Sequence, residues 1–133
     1  MPRALTPELR AWLRVEPPRY GVLATIRGDG LPRLSVVWAK LLDDDTMLMN
    51  TRFDRAKARD VARDPRVSLC FEDGYQYVTL EGRATLRPDP DLADIDELRR
   101  HYSDDKDFSP QRGERVSIVL TIERVLVHLE RLP

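Results

Sequence analysis

The sequence predicts a mainly β protein, an antiparallel barrel or α+β domain of about six strands with short inserted helices. Beyond residue 20, apolar side chains recur at every second position in several segments, which is the period of half-buried strands. Most of these segments are joined by short polar turns containing Gly or Asp, as in β-hairpins. A doubly wound parallel sheet is disfavoured, because a helix would then follow each strand.

Size and composition limit the class of protein. The 133 residues correspond to one domain, predicted to span residues 1–133, and the net charge of −1 gives no support to nucleic-acid binding. Cys70 is the single cysteine, which excludes an intrachain disulfide and a CxxC metal or redox motif. No apolar run is long enough to span a bilayer and no secretory leader is recognisable, so we expect a cytoplasmic protein that does not contact a membrane.

The first third of the chain predicts a helix followed by a hairpin. The helix begins after Thr6, a hydroxyl N-cap that precedes a proline, and ends before Pro17. From Tyr20 the apolar period changes to two, and it continues on the far side of the turn at residues 28–30. We therefore expect paired strands on the two sides of this turn.

The remaining sequence predicts further strands and two more helices. In chain order these are a strand over 47–50, a helix capped by Asp54 and ending near Arg63, strands over 67–71 and 75–86 with a bulge at Gly82, a helix from Leu92 to about Tyr102, and a strand from 116 that extends to 127. Residues 103–113 are polar and are predicted to form a mobile loop.

The segment from Asn50 to Lys57 is the strongest candidate for a binding site. Arg55 and Lys57 fall in the first turn of the predicted helix, where a positive charge opposes the helix dipole. A bound phosphate would offset that cost by accepting helix amides and both side chains, with Asn50 or Thr51 adding a polar contact. The alternative is a solvated charged face balanced by neighbouring aspartates, and spacing alone leaves both interpretations open.

Two further segments are weaker candidates. Trp38 and Lys40 share one face of the predicted second strand, so a flat ring could lie there, although a core Trp and a solvated Lys are favoured without further context. The aromatic and amide side chains of residues 75–77 suit a planar heterocycle but are also ordinary strand residues. The two histidines have no metal-ligand spacing, and no motif for acyl transfer or a dinucleotide is present, so no metal site and no catalytic residue is predicted.

The order of several motifs resembles that of the pyridoxamine-phosphate-oxidase-like superfamily. Within it, the chain looks most like the deazaflavin (F420)-dependent oxidoreductases of actinobacteria, and the resemblance extends from about Thr6 to Val127. The motifs that carry it are YGVLATIR at 20–27, SVVWAK at 35–40, RAK at 55–57, DPRVS at 64–68 and LEGRA at 80–84.

This resemblance implies a six-stranded split β-barrel of the FMN-binding type, assembled as a homodimer with cofactor sites between the subunits. It implies an enzyme that transfers a hydride from reduced coenzyme F420 to a small conjugated organic substrate. FMN is the alternative cofactor, and a non-catalytic cofactor- or ligand-binding module is the alternative function. True pyridoxamine-phosphate oxidases carry a C-terminal Trp and Arg pair that this sequence lacks, which makes pyridoxamine phosphate a poor substrate candidate.

The resemblance also implies a set of cofactor-binding residues. The phosphate would contact residues at the end of the third strand and the start of the next helix, namely Asn50, Thr51, Arg55 and Lys57, with Arg52 a weaker candidate. The ring would lie along the second strand, against Ser35, Val37, Trp38 and Lys40. The partner subunit would supply Tyr75, Gln76 or Tyr77. An acidic cofactor tail would have Arg52, Arg59 or Lys106 as partners.

Overall fold

The computed structural model of the protein describes residues 5–130. Within that range it contains three α-helices, one 3₁₀ turn and a single curled sheet of seven antiparallel strands. The helices are α1 (Pro7–Leu13), α2 (Ala56–Arg63) and α3 (Ala93–His101), and the 3₁₀ turn is Ser109–Gln111. The strands are β1 (Gly21–Ile26), β2 (Pro32–Val37), β3 (Lys40–Leu41), β4 (Thr46–Arg52), β5 (Arg66–Asp73), β6 (Gln76–Pro88) and β7 (Arg115–His128).

The order of the strands closes the sheet on itself. The order is β2-β1-β5-β6-β7-β4-β3, so β2 and β3 form the two edges. These edge strands are nevertheless consecutive in the chain and are separated by Trp38 and Ala39 alone. Such a connection spans roughly 10 Å at most. The two edges therefore lie beside one another, and the mainly β, split-barrel fold is confirmed.

The sheet has seven strands in the described range rather than the predicted six, because the second strand is interrupted. The Ala39 N–H donates to the hydroxyl of Tyr102 (3.0 Å) instead of to a strand partner, and that hydroxyl donates to the Arg19 carbonyl (2.6 Å). Trp38 and Lys40 thus do not share one strand, and that prediction is wrong. Tyr102 comes from the end of α3, which no local pattern around Trp38 could indicate.

The observed N-cap residue agrees with the sequence prediction for α1 and differs from it for α2. Thr6 caps α1 as predicted, its Oγ1 accepting from the Leu9 N–H (3.1 Å). The N-cap of α2 is Arg55 and not Asp54, because Asp54 lies in a turn closed by a hydrogen bond from the Arg55 N–H to the Arg52 carbonyl (3.1 Å). No acidic residue therefore occupies the first turn of α2.

The polar segment 103–113 has more local structure than a loop prediction implies. Phe108 in its middle is buried, and the 3₁₀ turn follows directly. Asp104 and Asp107 each accept a hydrogen bond from the backbone N–H two residues later. One aromatic side chain thus anchors this segment over the sheet.

The core lies on both sides of β4. Met47 and Met49 face the barrel interior, while Leu48 points outward and packs under α3 with Ile95, Leu98 and Phe108. The structure confirms the bulge at Gly82, where the pairing of β6 with β7 shifts by one residue. Among the helices of residues 5–130, none is long and apolar enough to cross a bilayer.

Candidate cofactor site

A cavity of roughly 440 Å³ lies where the end of β2, the end of β4, the start of α2 and the start of β7 come together under α3 and the segment 103–111. It is lined by Val36, Val37, Trp38, Asn50, Thr51, Arg52, Arg55, Lys57, Ile95, Leu98, Asp104, Lys106, Phe108, Gln111 and Arg115. The antiparallel pairing of β4 with β7 sets Arg52 opposite Arg115 and Asn50 opposite Ser117. Two segments far apart in the sequence therefore contribute to one wall.

The structure brings together more than half of the residues that the sequence analysis named. Those that line the cavity are Val37, Trp38, Asn50, Thr51, Arg55 and Lys57, together with Arg52 and Lys106. Ser35 and Lys40 do not line it. Ser35 lies in the middle of β2 opposite Leu23, and the Lys40 ammonium is 3.5 Å from a Glu97 carboxylate oxygen.

The residues at 75–77 lie away from this cavity, at the turn between β5 and β6. Tyr75 is 95% exposed, and the Tyr77 ring stacks on His128 with centroids 5.2 Å apart. The Gln76 Oε1 accepts from the Glu130 N–H (3.2 Å). Their contribution from a partner subunit stays a prediction.

The cavity concentrates positive charge, because its lining carries five cationic side chains and a single carboxylate, that of Asp104. Within residues 5–130, no carboxylate oxygen lies within 4.0 Å of a side-chain nitrogen of Arg55, Lys57, Lys106 or Arg115. Arg52 is the exception, since its guanidinium is paired with Asp54 (3.5 Å) and Glu114 (3.6 Å). Burial lowers the pKa of Lys57, and the charges of Arg55 and Arg115 lower it further. A bound anion would relieve this repulsion.

Arg115 is a member of this cluster that the sequence analysis missed. Its Nε donates to the Asn50 Oδ1 (2.8 Å), and its Nη1 donates to the Gln111 Oε1. Its guanidinium carbon lies 4.9 Å from the centroid of the Phe108 ring. The only available signal was Arg115 at the start of a strand, which has no meaning until the pairing of that strand with β4 is known.

An aromatic wall stands beside the cations. Trp38 stacks on Tyr102 with centroids 5.5 Å apart, and Tyr102 stacks in turn on Tyr20 at 5.4 Å. Phe108 meets Trp38 edge-on at 6.3 Å. Val37, Ile95 and Leu98 complete an apolar surface. A flat apolar wall next to unpaired cations fits a ligand with a planar ring system and a phosphate.

A second cavity, of roughly 460 Å³, lies near the bulge, and its charges are balanced. Its lining includes the cations Arg66 and Arg124 and the anions Glu81 and Glu123. Arg124 and Glu81 approach to 3.9 Å. This balance gives no preference for an anion. Side chains that could hold a metal ion form no group of three or more anywhere in the described part of the chain.

A comparison with known families shows which family the chain belongs to. The family model described as pyridoxamine 5'-phosphate oxidase matches residues 5–129, nearly the whole chain. The chain belongs to this family. The membership of the pyridoxamine-phosphate-oxidase-like superfamily that the sequence predicted is therefore confirmed.

Curated relatives in this family are similar over part of their length. Pyridoxine/pyridoxamine 5'-phosphate oxidase from Agrobacterium fabrum is 24% identical over 102 residues, 77% of this chain and 45% of that protein. The enzyme of the same name from Rhizobium johnstonii is 35% identical over 54 residues, 41% of this chain and 26% of that protein. The chain thus spans less than half the length of these relatives.

Solved structures match over almost the full chain. An F420 reductase superimposes with a TM-score of 0.80 at 28% identity, covering 91% of this chain and 98% of that one. A conserved hypothetical protein from Mycobacterium tuberculosis gives 0.75 at 25% identity, covering 100% and 98%. A Group A Streptococcus protein, HupZ, gives 0.69 at 16% identity over 94% and 100%, and shares the fold.

Proposed function

We propose that this member of the pyridoxamine 5'-phosphate oxidase family is an oxidoreductase that uses coenzyme F420 to deliver a hydride to a small conjugated organic substrate. The observation that carries the proposal is the cluster of unpaired cations beside the aromatic wall of one cavity. The full-length similarity to an F420 reductase supports F420 as the cofactor, since that similarity covers 98% of the other chain.

Different residues would bind the phosphate and the ring of the cofactor. Thr51, Arg55 and Lys57 would contact the phosphate at the start of α2, where the first backbone N–H groups lack helix partners. Val37 and Trp38 would flank the ring. The cofactor, when bound, supplies the hydride chemistry itself. The protein would orient the ring and exclude water, which is consistent with the absence of a predicted acid–base residue.

FMN is the second candidate cofactor, and the observation that favours it is the similarity to pyridoxine/pyridoxamine 5'-phosphate oxidases. A phosphate monoester carries close to two negative charges and would suit the same cations. The third candidate is a module that binds the cofactor without turnover.

A homodimer with shared sites is part of the proposal. Leu34 and Val36 on the edge strand β2 are 67% and 71% exposed, and Val36 also lines the cavity. A second copy that covered these residues would enclose the cavity mouth and bury apolar surface. The exposed Tyr75 of the partner subunit would then be available to the ring, as the family resemblance implies.

Cofactor titrations test the proposal directly. The purified protein is titrated with F420, followed by its fluorescence, and with FMN, followed by its absorbance. Saturable F420 binding and oxidation of reduced F420 by a panel of conjugated ketones and enones would support the first candidate. A yellow protein that binds FMN alone would select the second, and binding without turnover of any acceptor would select the third. If neither cofactor binds, the proposal is wrong.

A double substitution tests where the cofactor binds. R55A/K57A removes two cations from the cavity and should weaken F420 binding at least about tenfold, because each loses a charge-assisted contact. The matched control R66A/R124A removes the same charge at the second cavity and should leave the affinity within about twofold. Equal effects of the two variants would contradict the site assignment, and urea unfolding checks that both variants are folded.

A further inference from the structure

A buried carboxylate lies next to the cation cluster, and within residues 5–130 it forms no ion pair with a cation of that cluster. Asp89, 4% exposed, precedes α3 and accepts hydrogen bonds from the backbone N–H groups of Asp94 and Ile95, both at 3.0 Å. It therefore caps the start of that helix from four residues before its first residue, Ala93. Its Oδ2 also accepts from the Asn50 Nδ2 (3.1 Å). Both of its oxygens are thus engaged.

The contact with Asp89 determines which way the Asn50 amide points. A carboxylate accepts hydrogen bonds only, so it must face the NH₂ group of Asn50 and not the carbonyl oxygen. The second hydrogen of that NH₂ group is directed to the Ser117 Oγ (3.1 Å), whose own hydrogen is donated to Asp94 (2.6 Å). Asn50 therefore presents its Oδ1 to the cavity side, where it accepts from Arg115.

Within residues 5–130, the side-chain hydrogen-bond partners of Arg115 are neutral. Its two side-chain partners are the amide oxygens of Asn50 and Gln111, and Phe108 lies against its guanidinium. A carboxylate in the place of either amide would fix Arg115 equally well but would neutralise it. No carboxylate of residues 5–130 pairs with the guanidinium, so the N–H groups not used by Asn50 and Gln111 can bind an anion in the cavity that Arg115 lines.

We propose that Arg115 binds the anionic group of the cofactor, and that Asp89 and Asn50 act as positioning residues that orient Arg115 without cancelling its charge. The Asp89 charge is kept one side chain away from the guanidinium, separated from it by the Asn50 amide. The inference rests on the proposed function for the identity of the anion. It also gives Asn50 a different role from direct contact with the phosphate, because both of its NH₂ hydrogens are already used.

A double-mutant cycle distinguishes positioning from direct contact. With F420 or FMN, whichever binds the wild-type protein, R115Q should weaken binding at least about tenfold and N50A about fivefold. In the R115Q background N50A should have almost no further effect, because the residue it positions is gone. In a K57Q background, which leaves Arg115 in place, N50A should keep its full effect. If the N50A and R115Q effects multiply, Asn50 acts independently of Arg115 and the proposal is overturned.

A second measurement needs no cofactor and so separates this proposal from the proposed function. In ¹⁵N-labelled protein the Arg115 Nε–H, assigned by its loss in R115Q, should exchange slowly with water because Asn50 holds it. N50A and D89N should accelerate that exchange about tenfold or more, and K57Q should not change it. Unchanged exchange in N50A overturns the positioning role. The two proposals can also fail separately. If N50A accelerates the exchange of the Arg115 Nε–H but the wild type binds neither F420 nor FMN, the proposed function is rejected and the positioning of Arg115 by Asn50 is retained.

Discussion

Lys57 combines three physical features that disfavour its positive charge. It is half-buried, it lies in the first turn of a helix whose dipole opposes its charge, and it lies near two arginines. Each of these features disfavours the protonated ammonium, and its pKa is lowered accordingly. A bound phosphate would raise that pKa again.

The binding of an anionic cofactor should therefore depend on pH through Lys57. The pKa of Lys57 is lowered in the free protein and would be raised again by a bound anion. As the pH rises through this lowered pKa towards the ordinary lysine value of about 10.4, the free protein loses the Lys57 proton first, and the affinity should fall. K57R, whose guanidinium stays protonated, should bind with an affinity that changes less over this range. A titration series measured at fixed ionic strength checks this, and equal pH dependence in both proteins would contradict it.

A residue of the cofactor site can be recognised from the sequence only when the feature that marks it lies among neighbouring residues. Arg55 and Lys57 were predictable because they break a rule within one helical turn. Arg115 and Phe108 were not, because they reach the cavity through the pairing of β7 with β4 and through the anchoring of a polar segment. Tyr102 was likewise assigned to a helix end, although its hydroxyl determines where β2 stops.

At the level of secondary-structure elements, the buried carboxylate of Asp60 links α2 to the hairpin of β1 and β2. Asp60 accepts from the Thr25 hydroxyl (2.8 Å), the Arg33 Nε (2.7 Å) and the Arg63 guanidinium (3.0 Å). Burial alone would raise the pKa of Asp60, but these three hydrogen bonds outweigh burial and the pKa is lowered. The charged form is therefore the stabilising one.

D60N should destabilise the fold by about 2–3 kcal/mol, because it leaves two arginines without their buried partner. We expect a smaller loss of unfolding free energy than for a fully buried ion pair, because Arg33 and Arg63 are partly exposed. The wild type should also lose this stabilisation as the pH falls below about 4, while D60N should not. Urea unfolding measures both effects. D54N, at an exposed aspartate, is the control and should change the stability little, and a D60N effect as small would contradict the role of Asp60.

The bulge between β6 and β7 depends on the absence of a side chain at Gly82. A Cβ built there would lie 1.9 Å from the Thr121 carbonyl oxygen, a backbone atom that cannot move aside without breaking the ladder. G82A should therefore cost about 3 kcal/mol or more, measured by urea unfolding. At Gly28 the nearest atoms to a Cβ are 3.7 Å away, so G28A should be nearly neutral. Similar stabilities for the two variants would contradict this explanation of the bulge.

At the scale of the whole molecule, the class of fold was predictable and the closure of the sheet was not. Period-two segments and hairpin turns were sufficient to indicate an antiparallel β protein. The step from β2 on one edge to β3 on the other takes place in Trp38 and Ala39, which resemble the continuation of a strand. The barrel was predicted from the family resemblance. The position at which β2 ends and β3 begins depends on long-range contacts, which the local sequence does not show.

The exposed apolar residues on β2 predict the assembly. L34D/V36D places two charges on this edge and should convert the proposed dimer into a monomer, as measured by light scattering during gel filtration. The same variant should also bind cofactor more weakly, because Val36 itself lines the cavity and a carboxylate there would repel the phosphate. L31D substitutes an exposed leucine in the turn before β2 and is a control for the added charge. A monomeric wild-type protein would contradict the proposed assembly.

The central claim is that the cavity between β4, α2 and β7 binds the phosphate of a flavin or deazaflavin cofactor. The most direct measurement is a crystal structure of the protein soaked with F420, and with FMN if F420 does not bind. We expect the phosphate to lie within hydrogen-bonding distance of Arg55, Lys57 and Arg115, with the ring beside Trp38. A cofactor bound instead in the charge-balanced cavity near Gly82, with the cation cluster empty, would contradict the claim.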